Sequence, residues 1–281
     1  MAGVAGLFVA LCALLILLAL LRLWRVVEVR QEEAQLEAFV RKAAAPPRFD
    51  PVMVEALPDP ARRYFLHVIR PGTPLRTRAR LMLRGEMSLR SGPGARYLPM
   101  RARQVLSADG FIWQARVGRR PLWIAGSDGY VGGASWTRFW FLGIVPLVRV
   151  SSRTDHARSA AGRCIAEAAF WAPAALLPGP GVTWSAARED VARVSVERGG
   201  HVHDLEIEVA PDGRPQSVRL MRWSRENPQK TWRLQPFGGR IRSLREVGGF
   251  RIAEAIEGGN GFGGPDYFAF YRARVSEITF H

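Results

Sequence analysis

Glu167 is the side chain of this sequence best placed to do chemistry. It follows Arg163 by four residues and Cys164 by three, and precedes Trp171 by four, beside an apolar helical stripe. A carboxylate so placed has two readings. On a solvent face it forms an i, i+4 ion pair with Arg163, worth roughly 0.3–0.5 kcal/mol. Turned inward, it faces a cavity as acid, base or ligand contact, with Trp113, Trp171 and Trp184 as candidate walls. The plain surface pair is the simpler expectation, because aromatic side chains fill cores before they line cavities.

Other constellations carry less. Cys164, His156 and Asp155 suggest a thiol nucleophile, but Cys164 and His156 stand a little over two helical turns apart, too far for contact. Cys164 therefore reads as a core residue. His201 and His203 share one face of a strand and could hold a metal with a third ligand. They directly follow the Gly199-Gly200 turn, so a solvated hairpin end is expected and no metal site. Gly259 to Gly264 matches G-x-G-x-x-G, which binds a dinucleotide only between a strand and a helix. Pro265 and a strand-like tail leave no room for that helix, so the segment reads as a strand connection and no cofactor is expected. Gly-x-Ser-x-Gly, His-Glu-x-x-His and P-loop lysine motifs are absent from the sequence, and no catalytic residue is assigned.

The elements that must position Glu167 follow from periodicity. Asp155 to Trp171 carries Ala157, Ala160, Ala161, Cys164, Ile165, Ala168 and Trp171 at helical spacing, and Pro173 ends it. Before it, Thr77 to Leu89 alternates as a half-buried strand. Strands at Arg96 to Leu106 and Phe111 to Val117 follow, with more between Leu122 and Val150. After it come Val191 to Arg198 and His201 to Val209 around Gly199-Gly200, then Pro215 to Trp223. A hairpin at Arg240 to Val247 and Phe250 to Glu257, then Tyr267 to Phe280, close the chain. Asp59, as N-cap, and Pro60 start a helix that runs to about Ile69. Strands and helices do not alternate, so the expected fold is α+β: a large curved antiparallel sheet with helices on one side.

Residues Ala2 to Trp24 carry no charge before Arg22 and are long enough to cross a bilayer. The start lacks the basic residues of a secretory signal, the apolar core is too long, and Ala43-Ala44-Ala45 lies too far beyond it for cleavage. Leu11 before Cys12 argues against lipoprotein processing. The expected organisation is a membrane anchor over 1–25, a helical stalk and linker over 26–56, and the sheet domain over 57–281. Arg22, Arg25, Arg30, Arg41 and Lys42 follow the span, which weights the domain towards the cytoplasmic side.

The net charge is +15 over 281 residues, with Lys42 and Lys230 the sole lysines. Scattered arginine without basic blocks speaks for genomic base composition rather than nucleic-acid binding, though near a bilayer it favours anionic lipid. Cys12 and Cys164 are the two cysteines and cannot form a disulfide framework.

Several segments together resemble an uncharacterised bacterial family of membrane-anchored proteins of unknown function. They are Leu57-Pro58-Asp59-Pro60-Ala61-Arg62-Arg63-Tyr64 with Arg70-Pro71-Gly72, Arg84-Gly85-Glu86-Met87, Tyr97-Leu98-Pro99 and Phe111-Ile112-Trp113-Gln114-Ala115. The most specific is Ala166-Glu167-Ala168-Ala169-Phe170-Trp171-Ala172-Pro173, continued to Gly179. The resemblance spans about Leu57 to Phe280 and implies no activity. The strand–helix–strand order is similar to that of envelope lipoprotein carriers, whose sheets wrap apolar ligands. The functional expectation is a membrane-tethered binding protein for a lipid or other apolar ligand, with Glu167, Trp171, Trp113 and Trp184 as candidate contacts. The alternatives are an enzyme on lipid or envelope substrates using Glu167, and an interaction protein docking through a sheet edge.

Overall fold

The fold is taken from a computed structural model that describes residues 2–40, 46–90, 92, 94–151 and 153–281. Thirteen strands among the described residues form one antiparallel sheet. They are β1 (Ala79–Ser88), β2 (Tyr97–Ser107), β3 (Gly110–Arg119), β4 (Leu122–Val131), β5 (Ala134–Phe141), β6 (Val145–Ser151), β7 (Val182–Arg188), β8 (Val191–Arg198), β9 (His201–Val209), β10 (Pro215–Ser224), β11 (Arg233–Val247), β12 (Phe250–Asn260) and β13 (Phe268–Phe280). The order is β6-β5-β4-β3-β2-β1-β13-β12-β11-β10-β9-β8-β7. Two meanders are thus joined where β13 pairs with β1, Ala79 opposite Phe280. β7 departs from the sequence expectation, which placed no strand between Pro173 and Val191. Its alternation is weak because it is an edge strand with Val182 as its buried residue.

Helix α3 (Thr154–Trp171) connects the two meanders. Its inward residues Ala160, Ala161, Cys164, Ile165 and Ala168 are small or slender and fully buried. A stripe this shallow lets the helix axis lie close over the sheet. Gly162 extends the effect, since a Cβ there would meet His203 Nδ1 and Leu220 at 3.3 Å. Residues of β4, β5 and β6 and of β10, β11 and β12 line one space beneath α3 although they stand far apart in strand order. The sheet therefore curls around α3. The β8–β9 turn closes part of the curl, with Arg198 Nε donating to Ala108 O at 3.3 Å.

Helix α2 (Asp59–Val68) packs Tyr64, Phe65 and Val68 into the same core. Its N-cap is Pro58, one residue earlier than expected, and the Asp59 carboxylate instead pairs with Arg62 and Arg63 at 2.7 and 2.6 Å.

Helix α1 (Ala2–Val40) is apolar and exposed through its first part and long enough to cross a membrane. The segment expected as a stalk continues as helix to Val40, but it is no free stalk. Arg41 to Ala45, within the expected stalk and linker, lie outside the described residues. Leu36 packs with Val105, Ile112 and Trp136, and Phe39 and Val40 adjoin them. Val105 alternates with Gln104 and Leu106, which face α3, so α1 covers the opposite face of the sheet. Glu28 and Glu32, polar in sequence, are buried there. Periodicity alone hid this because the docking stripe is made of carboxylates whose partners lie in the sheet.

Candidate functional site

Beneath α3 lies a cavity of about 500 Å³, within the range typical of small-molecule sites. Its wall is mainly apolar: Trp113, Phe139, Phe170, Phe237, Ile256 and Leu147. The wall alternates in register with the strands. On β3, Trp113 and Val117 face in. On β4, Ile124 and Asp128 do so four register positions apart, opposite Phe141 and Thr137 of β5.

One polar network interrupts this surface. Arg163 Nε donates to Glu167 Oε1 at 2.6 Å, and Arg163 Nη1 donates to Asp128 Oδ2. Gln104 Nε2 donates to Glu167 Oε2 at 2.5 Å. Glu167 thus faces the cavity and not solvent, with its side chain 14% accessible, which corrects the expectation of a surface pair. The i, i+4 spacing from Arg163 is indeed used, but α3 turns that side to the sheet. Burial lowers the basicity of Arg163, while Glu167 and Asp128 outweigh it and leave the guanidinium more firmly protonated than usual. The guanidinium also lies over the Phe111 and Trp113 rings, 4.6 and 5.3 Å from their centroids.

The network extends from Asp128. Thr137 Oγ1 donates to Asp128 Oδ1 at 2.7 Å and meets His156 Nε2 at 2.9 Å, and His156 Nδ1 meets Ser135 Oγ at 2.7 Å. Burial holds the His156 imidazole below its ordinary pKa.

Arg222, at the cavity wall on β10, is different. Its Nε donates to Ser159 O at 3.0 Å and its guanidinium lies 4.8 Å from the Phe237 ring centroid. Among the described residues it has no carboxylate ion-pair partner. Burial, with repulsion from Arg163 second, lowers its pKa to about 10. It remains a cation, and one with unmet electrostatic demand. Two further polar atoms, Trp113 Nε1 and Gln104 Oε1, are buried without hydrogen-bond partners.

The sequence-derived candidates divide. Glu167 and Trp113 meet at the cavity. Trp171 lies in the core, with Nε1 donating to Ala253 O at 2.9 Å. Trp184 packs on Tyr64 and Phe65 beside α2, with Nε1 on Leu176 O at 2.9 Å. Neither of these two forms the wall of this cavity. Cys164 is buried, its Sγ donating to Ser107 O at 2.8 Å, and burial raises its pKa well above the usual thiol value. His203 is not at a solvated hairpin end: α3 covers it, and its Nε2 has no partner. Gly259 and Asn260 end β12, and Gly261 to Gly264 turn the chain towards β13.

Asp128, Gln104 and Arg222 were missed, yet each left a mark in the sequence. Each breaks an inward-facing alternation: Met100, Ala102, Gln104, Leu106 on β2; Ile124, Gly126, Asp128, Tyr130 on β4; and Val218, Leu220, Arg222, Ser224 on β10. A charged or amide side chain on the buried parity of a strand needs a partner, and that need is readable before the fold is known.

The chain belongs to the Family of unknown function (DUF6544), matched over residues 47–272. Among curated proteins none matches the sequence. Among solved structures, the chain is similar to one assigned as an outer membrane lipoprotein-sorting protein domain from Vibrio parahaemolyticus. Identity is 10%, coverage 73% of this chain and 85% of that one, and the TM-score 0.36. A likeness at that score carries no argument about function here.

Proposed function

We propose that this member of the family of unknown function is a membrane-tethered binding protein for a lipid-like molecule with an apolar tail and an anionic head. The observation that carries the reading is the pairing, in one cavity of about 500 Å³, of an aromatic and aliphatic wall with Arg222. The apolar tail would displace water from Trp113, Phe139 and Phe170, gaining roughly 25 cal/mol per Å² covered. A carboxylate or phosphate would answer the Arg222 charge, which the protein itself leaves unpaired. Arg163 is already held by two carboxylates and serves as a fixed part of the wall. The α1 span would keep the protein at the surface from which such molecules come.

The test uses the full chain in detergent-free nanodiscs and a fluorescent fatty acid as probe. The probe should bind and be displaced by unlabelled fatty acid. Arg222→Met should weaken the acid while leaving the matching fatty alcohol little changed. Ala166→Trp, which fills the cavity from α3, should abolish both. Absence of probe binding, together with no co-purifying lipid by native mass spectrometry, refutes the reading.

A second reading rests on Glu167 and Asp128 sharing that wall. It makes Glu167 an acid or base acting on a lipid or envelope substrate. It requires turnover of the bound molecule, lost in Glu167→Gln while binding persists. Product-free recovery of every bound lipid after prolonged incubation excludes it.

A further inference from the structure

The position of α1 on the sheet fixes which way the cavity opens. In a meander, successive turns lie at alternating ends. The β1–β2, β3–β4 and β5–β6 turns therefore share one end, and the β2–β3 and β4–β5 turns share the other. Arg22 lies against Gly143 in the β5–β6 turn, and Trp24 meets Trp140 edge-on at 5.1 Å. Phe39, near the other end of α1, lies against Gly110 at the β2–β3 turn. Helix α1 thus runs along the sheet from the first end to the second. The apolar residues before Arg22 project beyond the β5–β6 end, for about 30 Å at 1.5 Å per residue.

That same end carries exposed apolar side chains. Leu122 starts β4 and is 66% exposed. Val145, Leu147 and Val148 lie on β6, and Leu89 leaves β1. Leu89, Leu147 and Val148 are exposed and also line the cavity, so they are its rim. The polar network of Asp128, Arg163 and Glu167 lies deeper. At the same end, on the α1 face of the sheet, stand groups of the kind that settle at a bilayer interface. Arg116 stacks on Trp123 at 4.2 Å, Arg149 stacks on Trp24 at 4.3 Å, and Arg119 and Arg120 are exposed. Tryptophan and arginine at one level favour the headgroup region, and the cations favour anionic lipid.

From this geometry we infer that the mouth of the cavity faces the bilayer crossed by α1, with Leu89, Leu122, Val145 and Leu147 dipping into its surface. The inference rests on the reading of α1 as a membrane span. It makes the lipid leaflet the direct source or destination of the cavity's occupant, with no aqueous passage between.

Depth-dependent fluorescence quenching tests it on the full chain in vesicles of phosphatidylcholine and phosphatidylglycerol. Bimane labels are placed singly at Leu122→Cys and Val145→Cys in a Cys12→Ser background, Cys164 being buried. Val52→Cys, exposed on the segment near the Gly248–Gly249 turn at the opposite end, is the apolar control. A label on native Cys12 reports the span. Nitroxide lipids should remove most of the fluorescence at 122 and 145, and aqueous iodide most of it at 52. If Cys12 is quenched by lipid while 122 and 145 answer only to iodide, α1 spans the bilayer and the inference is overturned. If Cys12 itself answers to iodide, the span fails and the inference falls with it.

Discussion

The two faces of the sheet use the same chemistry to different ends. Under α1, Glu28 meets Arg149 and accepts from Trp140 Nε1 at 3.1 Å. Glu32 accepts from Ser127 Oγ and Gln114 Nε2 at 2.5 and 2.8 Å. Glu33 and Glu37 reach Arg103 and Arg80 at 2.5 and 3.0 Å. Each carboxylate there fastens helix to sheet. Under α3, Asp128 and Glu167 also meet an arginine, but beside an apolar space that the shallow alanine stripe does not fill. Arg222 stays unpaired at its wall. The comparison teaches that a buried carboxylate is no mark of a site by itself. What distinguishes the α3 face is a cation without a carboxylate partner, Arg222, next to unfilled apolar volume.

Arg163→Met should break the α3 face hardest. It strands Asp128 and Glu167 together, and removing one partner of a buried ion pair typically costs about 3–5 kcal/mol. Denaturant unfolding of the full chain in detergent reads this directly. An unchanged midpoint would mean that the network is solvated and the face is open.

On the α1 face, Glu32→Leu keeps the helix but leaves the Ser127 and Gln114 donors without an acceptor. The expected loss is about 1–3 kcal/mol. Protection of α1 from hydrogen exchange should fall over its second half while α3 keeps its own. Loss of protection in both helices together would show that the faces are not independent.

Acid should discriminate between the faces too. Burial first, then His201 and Arg158, lowers the pKa of His203 to about 4. Below the unfolded value of 6.5 the unfolded chain binds the proton and the folded one does not. Stability should therefore fall as pH drops from 6.5 and level off near 4, by no more than about 1.4 kcal/mol per pH unit. His156, lowered mainly by burial, acts in the same direction. His203→Gln should flatten the slope of the unfolding midpoint against pH. An equally steep slope in that variant would assign the acid sensitivity elsewhere.

The smallest effect belongs to an exposed pair on neither face. Lys230 Nζ and Glu226 Oε2 stand 3.2 Å apart with both side chains more than half accessible. Glu226→Gln should move stability by less than about 0.5 kcal/mol. A larger change would mean that exposed pairs in this arginine-rich chain count for more than the comparison assumes.

Much of this protein is written in local pattern. The period-2 runs and glycine turns mark most of the strands. The alanine and cysteine stripe with Pro173 marks α3 to within a residue, and the uncharged run before Arg22 marks the apolar helix. These depend on side-chain alternation and backbone preference, which neighbours in sequence set. The facing of Glu167 depended on tertiary structure. An i, i+4 pair reads the same on a wet or a dry helix face, and only the curl of the sheet put that face against Gln104 and Asp128. The meeting of Arg222 with Trp113 across the strand order was likewise decided by the curl. So was the docking of Glu28 and Glu32, because their partners Trp140 and Ser127 lie 112 and 95 residues away, and no local period records them.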